Sequence, residues 1–206
     1  MGEYTVTELE ELHEQIRRCQ KCRLYRGTTH AVPGEGPPHA DIMFVGEAPG
    51  FHEDQQGRPF VGAAGQFLES LLASINLSRN DVFITNVVKH RPPNNRDPQV
   101  DELQACRPYL DRQIELIKPK MIVTLGRFSM ELAWVDARIS RIHGQPKKVG
   151  GIVYFPMFHP AAALHQPRYR SLIEQDFLKI PEILADLGSV DEGESSGPPV
   201  EQLSLF

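Results

Sequence analysis

The chain has 206 residues, a formal net charge of −5 and 40% hydrophobic residues, enough apolar material for the core of one domain. No apolar run approaches the roughly 18 residues that a membrane-spanning helix needs, and the N-terminus lacks the apolar centre of a secretory signal. Three cysteines, two of them in a C-x-x-C pair, favour a metal or redox site in a reducing compartment over a disulfide framework. We therefore expect a cytoplasmic protein.

The N-terminal part of the chain combines an amphipathic helix pattern with a pair of cysteines. The helix pattern covers the first 18 residues, and Cys19 and Cys22 follow in the sequence CQKC. One short backbone segment can therefore present two thiolates to the same metal. The first predicted strand is the apolar run at 41–46, which leads into the turn sequence GEAPG, and a helix is predicted over 64–75.

The second predicted strand, at 81–88, ends among polar side chains. Asn86 lies near its carboxyl end, and His90 follows just before the proline-rich sequence RPPNNRDP. A helix predicted over 100–117 carries Cys106, the third cysteine.

The remaining elements are a third strand at 121–126, a helical segment at 127–134 and a fourth strand at 152–158 that runs into His159. Beyond Leu187 the sequence consists mainly of Gly, Ser, Pro and acidic residues, which cannot bury enough apolar surface to fold. We predict a folded domain over 1–186, a disordered acidic linker over 187–201 and a short peptide, QLSLF, at 202–206.

The alternation of strands and helices predicts an α/β fold in three layers, with a four-stranded, largely parallel sheet and helices on both faces. In such a sheet, ligands bind beyond the carboxyl ends of the strands. The GEAPG turn, Asn86 and His159 all follow strands at this edge, so we predict a functional site there.

Four motifs resemble those of the family 4 uracil-DNA glycosylases, the iron–sulfur branch of the superfamily. They are GEAPG…GRPFVGAAGQ, ITNVVK, RPPNNRDP and PMFHPA, and the likeness extends from Cys19 to Leu184. The resemblance implies an enzyme that flips uracil out of DNA and hydrolyses its N-glycosidic bond in base-excision repair. It also implies a [4Fe–4S] cluster held by four cysteines.

This chain departs from the family pattern at one cluster ligand, because His90 stands where the family has its fourth cysteine. We predict that Cys19, Cys22, His90 and Cys106 bind the cluster, since His can replace Cys on iron. A structural zinc ion is the alternative, because Cys₃His is a common zinc ligand set. A third possibility is that His90 only makes a local hydrogen bond.

The resemblance also assigns the main residues of a uracil pocket. Phe60 is expected to stack on the flipped base, and Asn86 to read its O4 and N3–H edge. His159 is expected to stabilise the negative charge that develops on O2 as uracil leaves. Asn86 and His159, together with Glu47, form the predicted catalytic set.

Glu47 is expected to position water or to stabilise the cationic sugar. Ala48 follows it where the best-known branch of the superfamily has an acid, so catalysis is expected to depend mainly on stabilising the leaving group. The backbone around Gly46 and Ala48 is expected to contact uracil. Glu53 is expected beside C5, where it would exclude the methyl group of thymine.

The expected DNA-binding residues surround this pocket. Lys89, Arg91, Arg168 and Arg170 are expected to bind phosphates, and Leu164 is expected to fill the stack that the flipped base leaves. The alternative for each of these Lys and Arg residues is a solvated surface charge that does not bind DNA.

The C-terminal QLSLF resembles the clamp-binding pentapeptide of bacterial replication and repair proteins. Gln202, Leu203, Leu205 and Phe206 are expected to bind a bacterial sliding clamp, with the linker serving as a flexible tether. The protein is otherwise expected to be a monomer.

Two alternative functions remain open. The first is a protein of the covalent branch that binds uracil-DNA through His without turnover. That branch carries a basic insert with a second His, whereas only residues 91–105 separate His90 from Cys106 here. His143, in SRIHG, is a poor candidate for the nucleophile. The second alternative is a clamp-associated DNA-binding protein without catalysis.

Overall fold

The apolar runs of the sequence form one five-stranded sheet in the computed structural model, which describes residues 2–193 and the side chains of residues 7–187. The order across the sheet is β2-β1-β3-β5-β4, and the four strands predicted from the sequence are parallel to one another. The strands are β1 (Ile42–Gly46), β2 (Phe83–Asn86), β3 (Met121–Leu125), β4 (Lys147–Val149) and β5 (Ile152–Met157).

β4 is the strand that sequence analysis missed, so the prediction of four strands was one too few. It pairs antiparallel with β5 at the edge of the sheet, and its residues are exposed. An exposed edge strand has no need of an apolar run, which is the signal by which the other strands were predicted. The available signal was the Gly150–Gly151 pair, whose φ angles of 58° and 86° suit a two-residue hairpin turn.

Helices cover both faces of the sheet. The predicted helices at 64–75 and 100–117 are present, whereas the one predicted at 127–134 ends at Met130. No described helix is both long and apolar enough to cross a lipid bilayer. The described helices are α1 (Gly2–Arg17), α2 (Phe51–Gln56), α3 (Ala63–Ser74), α4 (Val100–Ile117), α5 (Arg127–Met130), α6 (Ile139–Ile142), α7 (Pro160–His165), α8 (Pro167–Phe177) and α9 (Ile180–Gly193).

Consecutive residues of β1 face opposite sides of the sheet, so two apolar clusters form. Phe44 packs toward α3 and α8, where its ring centroid lies 5.7 Å from that of Phe177. Met43 and Val45 belong to the second cluster, which α1 and α4 cover. Because both faces are covered, β1 is buried over its whole length. The predicted three-layer α/β fold is therefore confirmed.

The last described helix overlaps the segment predicted as a linker. Ile183, Leu184 and Leu187 of α9 pack against the core, and the helix continues to Gly193. The predicted linker start at 187 thus falls inside a helix. Residues 194–206, which include the rest of the predicted linker and the QLSLF peptide, lie outside the described residues.

Four parallel strands bring their carboxyl ends to one edge of the sheet. β1 ends at Gly46, which pairs with Asn86 at the end of β2. β3 is followed by Gly126, whose N–H donates to the carbonyl of Met157 at the end of β5. Gly126 has a φ of 96°, and a Cβ there would lie 3.3 Å from the Cβ of His159. The chain therefore brings the residues that follow these strands close together.

Candidate active site

A cavity of about 470 Å³ opens at the carboxyl edge of the sheet. Its walls come from the turn after β1, the loop before α3, the end of β2, the proline loop and α7. The predicted site residues that line it are Glu47, Ala48, Glu53, Phe60, Asn86, His159 and Leu164. Gly46 lies directly beneath Phe60 and Asn86.

Three side chains that are distant in the sequence meet in this cavity. A Cβ at Gly46 would lie 2.4 Å from Oδ1 of Asn86 and 2.6 Å from Cζ of Phe60, so both side chains pack over the same glycine. The ring of Phe60 lies 5.6 Å from the imidazole of His159 between centroids, at an interplanar angle of 26°. An aromatic face, a carboxamide and an imidazole therefore share one cavity, as the strand ends predict.

Asn86 presents a hydrogen-bond acceptor without a partner. The residue is 1% exposed, and its Oδ1 atom has no hydrogen-bond partner within the described part of the chain. An unsatisfied buried acceptor costs about 1–3 kcal/mol, so it requires an explanation. A ligand with an N–H group in the cavity would satisfy this oxygen.

His159 is held as a neutral hydrogen-bond donor. It is the N-cap of α7, and its Nδ1 atom accepts the N–H of Ala161 at 3.1 Å. Burial lowers the pKa of His159 to about 4, so the ring is neutral at pH 7. Because Nδ1 is the acceptor, the single ring proton lies on Nε2, which is free to donate to a ligand.

Glu47 is the half-buried carboxyl group of the cavity. Burial, and to a smaller extent the charge of Asp97, raise its pKa to about 7, and Arg127 partly opposes this shift. The side chain therefore changes charge near neutral pH, as an acid–base or electrostatic group of an active site often does.

Glu53 lines the cavity, but backbone groups occupy its carboxylate. Oε1 accepts the N–H groups of Val61 and Gly62, both at 2.8 Å, and Oε2 accepts that of Gly50 at 3.1 Å. The side chain thus ties the GEAPG turn to the loop that carries Phe60. Its expected place beside C5 of the base stays a prediction.

Comparison with known proteins agrees with the geometry of the cavity. A sequence model described as the Uracil DNA glycosylase superfamily matches residues 33–185. The chain is 52% identical over 185 residues to the Type-4 uracil-DNA glycosylase of Sulfurisphaera tokodaii. The aligned region covers 85% of this chain and 84% of the relative. The chain belongs to the type-4 uracil-DNA glycosylases. The family that its motifs predict is therefore confirmed.

Further type-4 uracil-DNA glycosylases match over similar lengths. The relative from Saccharolobus solfataricus is 47% identical over 205 residues, 90% of this chain and 95% of the relative. That from Archaeoglobus fulgidus is 46% identical over 184 residues, 85% of this chain and 92% of the relative. Residues 33–185, which the superfamily model matches, include every described residue that lines the cavity.

Lys89 is buried, so the prediction that this type-4 family member uses it to bind DNA phosphates is wrong. The side chain is fully buried, and Nζ donates to Oγ1 of Thr85 at 2.7 Å, to the carbonyl of Asn86 at 2.8 Å and to Oε1 of Gln113 at 2.7 Å. Burial lowers the pKa of Lys89 to about 7. The residue therefore supports the end of β2 from inside the domain.

The other predicted DNA-binding residues are exposed or half-buried. Leu164 is 49% exposed and lines the cavity mouth. Arg168 and Arg170 are exposed on α8, where Arg170 binds Glu174 at 3.0 Å. Nε of Arg91 donates to a side-chain oxygen in the proline loop at 2.7 Å.

Phe51 is a surface aromatic residue that sequence analysis did not single out. It is the first residue of α2, is 52% exposed, and lies 5.1 Å from the guanidinium of Arg91. Both residues adjoin segments that line the cavity. An apolar residue directly after the GEAPG turn was the only signal in the sequence, and it does not reveal exposure.

The four predicted metal ligands lie in two adjoining environments. Cys22 and Cys106 belong to a small apolar cluster with Leu24 and Val88, whereas Cys19 and His90 line a polar cavity of about 500 Å³. Among the side chains described, no group of three or more His, Cys, Asp or Glu residues stands within reach of one metal ion.

One observation on these residues nevertheless fits a metal. Nδ1 of His90 is buried without a hydrogen-bond partner in the described structure. Burial, and more weakly Cys22 and Cys19, raise the pKa of the Cys106 thiol to about 11, so the thiol is protonated at neutral pH when no metal is bound.

Neither His90 nor His143 is among the described residues that line the cavity. His143 follows α6, its Nδ1 atom lies 2.6 Å from Oδ2 of Asp176, and its ring packs on Phe158. Neither side chain is thus placed to attack a base or sugar bound beside Asn86. The alternative with a covalent histidine gains no support from this geometry.

Proposed function

We propose that this protein is a monofunctional uracil-DNA glycosylase, which flips uracil out of DNA and hydrolyses its N-glycosidic bond in base-excision repair. The observation that carries the proposal is the unpartnered Oδ1 of Asn86 in the same cavity as Phe60 and His159. A base inside a duplex cannot reach such a cavity, so it must be extruded. Membership of the type-4 family supports the same activity.

The proposed pose of uracil follows from the donors and acceptors of the cavity. Oδ1 of Asn86 accepts the N3–H of uracil, and Nδ2 donates to O4. In cytosine the unprotonated N3 would face the acceptor Oδ1, and the amino group would face the donor Nδ2. A fixed carboxamide therefore makes neither hydrogen bond with cytosine. The face of Phe60 stacks on the extruded ring.

The proposed reaction breaks the bond between C1′ and N1, and the electron pair leaves with uracil. The Nε2–H of His159 donates to O2, where much of the negative charge collects. Ionised Glu47 stabilises the cationic sugar or positions the water whose oxygen bonds to C1′. The proton that this water loses passes to Glu47 or to solvent, and the uracil anion takes up one proton to leave as neutral uracil. Since Ala48 supplies no second acid, stabilisation of the leaving group is the main contribution.

The direct test is release of free uracil from a single-uracil oligonucleotide. We expect release from the uracil strand, and none from matched strands that carry thymine or cytosine. Folded, metal-loaded protein that releases no uracil would overturn the proposal. A denaturation-resistant protein–DNA adduct without release would favour the covalent alternative instead.

Excision is expected to become faster as the pH rises through about 7. The ionised form of Glu47 is the proposed active form, and its pKa is raised to about 7, so protonation at lower pH removes the charge. Single-turnover rates between pH 5.5 and 8.5 measure this dependence. Glu47→Gln should be slower with the rise near pH 7 abolished, whereas Glu10→Gln, at an exposed site on α1, should retain it. A retained rise in Glu47→Gln would contradict the assignment.

The same group affects stability in the opposite direction. The pKa of Glu47 rises from an ordinary value of 4.5 to about 7 on folding, so the folded protein binds an extra proton between these values. The stability that this group contributes is therefore present at low pH and is lost as the pH rises through 7. Glu47→Gln should melt at a higher temperature than the wild type above pH 7, with a smaller difference at pH 5.

We further propose that Cys19, Cys22, His90 and Cys106 bind a [4Fe–4S] cluster, with structural zinc as the alternative. The unpartnered Nδ1 of His90 and the resemblance to the iron–sulfur family support this ligand set. When bound, the metal would join the segment after α1 to the proline loop and α4. Hydrolysis involves no electron transfer, so the metal is proposed to be structural.

Loss of the metal is therefore expected to reduce stability more than it changes the chemistry. Cys106→Ser should purify with little iron or zinc and melt at a distinctly lower temperature, as measured by elemental analysis and thermal unfolding. His90→Cys should retain the metal, whereas His90→Ala should lose part of it. His39→Ala, at an exposed site, is the control. Full metal content in both Cys106→Ser and His90→Ala would contradict this ligand set.

We also propose that the C-terminal residues Gln202, Leu203, Leu205 and Phe206 bind a bacterial sliding clamp. The support is the resemblance of QLSLF to clamp-binding peptides and the acidic, Gly- and Pro-rich sequence that precedes it. Removal of residues 202–206 should abolish clamp binding in surface plasmon resonance and leave excision from short oligonucleotides unchanged. Unchanged clamp binding would contradict the proposal.

A further inference from the structure

The backbone of Phe60 adopts a conformation that an aromatic residue rarely takes. Its φ angle is 51°, in the left-handed region that L-residues with large side chains avoid. The first turn of α3 packs closely on this residue, because a Cβ at Gly65 would lie 1.9 Å from the carbonyl oxygen of Phe60. A conformation of this kind persists only when surrounding contacts hold it, and here it carries the ring into the cavity.

Arg79 supplies contacts of this kind. Nη1 donates to the carbonyl of Phe60 at 2.8 Å, and Nη2 donates to that of Pro59 at 2.6 Å. The side chain is only 13% exposed, so these are partly desolvated, charge-assisted hydrogen bonds. Arg79 lies in a short 3₁₀ helix, Arg79–Asp81, immediately before β2, which ends at Asn86. One segment thus holds the Phe60 turn and carries the carboxamide.

A carboxylate fixes the orientation of this guanidinium. Glu35 accepts Nε of Arg79 at 3.3 Å and binds Arg58 through two hydrogen bonds of 2.7 and 2.8 Å. The hydrogen bond from Arg58 lowers the pKa of Glu35, so the carboxylate is ionised at neutral pH. The backbone of Glu35 pairs with Ile84 of β2 in both directions, at 2.9 and 2.7 Å. The ion cluster is therefore anchored to the sheet.

We propose that Arg79 is a positioning residue, which holds the Phe60 turn so that its ring faces the base that Asn86 reads. Arg79 does not line the cavity among the described residues, so it acts through Phe60 and not by contact with the base. The inference rests on the proposed glycosylase function. It assigns Arg79 a role that depends on its two hydrogen bonds to the backbone carbonyls of Pro59 and Phe60.

A double-mutant cycle between Arg79 and Phe60 tests the proposal. Arg79→Met keeps an unbranched apolar stem and removes the guanidinium donors, and it should slow single-turnover excision by on the order of 10–100-fold. KM for the oligonucleotide should change little, because no phosphate contact is lost. In a Phe60→Ala background, where no ring remains to be positioned, the same change should slow excision less than about threefold. An equal effect in both backgrounds would overturn the proposal.

Matched variants separate positioning from a general loss of stability. Arg79→Lys keeps the charge beside Glu35 but has one donor group for two carbonyls, so its rate should be intermediate. It also serves as the cycle partner if Arg79→Met does not fold. Arg112→Met, which removes an exposed arginine that binds Glu8, should leave the rate unchanged. A rate for Arg79→Lys equal to that of the wild type would contradict the need for a fork of two donors.

A readout without DNA distinguishes this inference from the proposed function. The aromatic NMR signal of Phe60, assigned by its absence in Phe60→Ala, should shift or broaden in Arg79→Met while core phenylalanine signals stay in place. An unchanged Phe60 signal would overturn the positioning role even if the enzyme is active. Wild-type protein that releases no uracil would overturn the function instead, whatever the NMR spectra show.

Discussion

Replacement of Asn86 by aspartate is expected to lower the preference for uracil over cytosine by on the order of 10⁴-fold. A site built to hydrogen-bond a particular substrate group rejects an analogue with the wrong group by about this factor. The ionised aspartate has no donor for O4 of uracil, and it can accept from the amino group of cytosine. The preference is measured as the ratio of single-turnover rates on matched uracil and cytosine oligonucleotides.

The control for Asn86→Asp is Asn80→Asp, at an exposed position in the 3₁₀ helix before β2. This variant should keep the wild-type preference. Asn86→Ala separates loss of recognition from reversed recognition, since it should slow uracil excision without improving that of cytosine. A wild-type preference in Asn86→Asp would show that another group reads the base.

Replacement of His159 by alanine is expected to slow excision by on the order of 10²–10³-fold, the usual cost of losing one preorganised donor to a developing negative charge. The N–H of Ala161 fixes the tautomer, and burial keeps the ring neutral. The donor is therefore in place before the reaction begins. The loss should appear in the single-turnover rate and not in the affinity for DNA.

His165→Ala is the matched control for His159→Ala, because His165 lies on the same helix, α7, but is exposed. It should excise uracil at close to the wild-type rate. A loss of less than about tenfold in His159→Ala would show that leaving-group stabilisation comes mainly from elsewhere, for example from backbone N–H groups of the GEAPG turn.

The sequence predicted the residues of the cavity because one topological rule connects strand order to site location. Apolar runs marked four buried strands, and parallel strands gather their carboxyl ends at one edge. Asn86 and His159 could be placed there without coordinates. Phe60 required the motif resemblance, because its place depends on a left-handed turn that periodicity does not reveal.

The contacts of Lys89 and Glu53 could not be predicted from the sequence, for a different reason. Lys89 follows a strand end and looks like a surface cation, but packing decides its burial, and it donates to two acceptors on β2 and to Gln113 on α4. Glu53 looks like a solvated loop acid, yet it accepts three backbone N–H groups. Burial and hydrogen bonding that depend on tertiary packing leave no periodic pattern in a sequence. The same is true of Arg79, whose contacts with Pro59 and Phe60 appear only in the fold.

The proposed activity depends on one pose of uracil in the cavity, and a crystal structure of the protein with uracil tests this pose most directly. We expect N3–H of uracil to donate to Oδ1 of Asn86, O4 to accept from Nδ2, O2 to lie at hydrogen-bond distance from Nε2 of His159, and the ring to stack on Phe60. Uracil bound outside this cavity, or inside it with its O4 and N3 edge turned away from Asn86, would contradict the account.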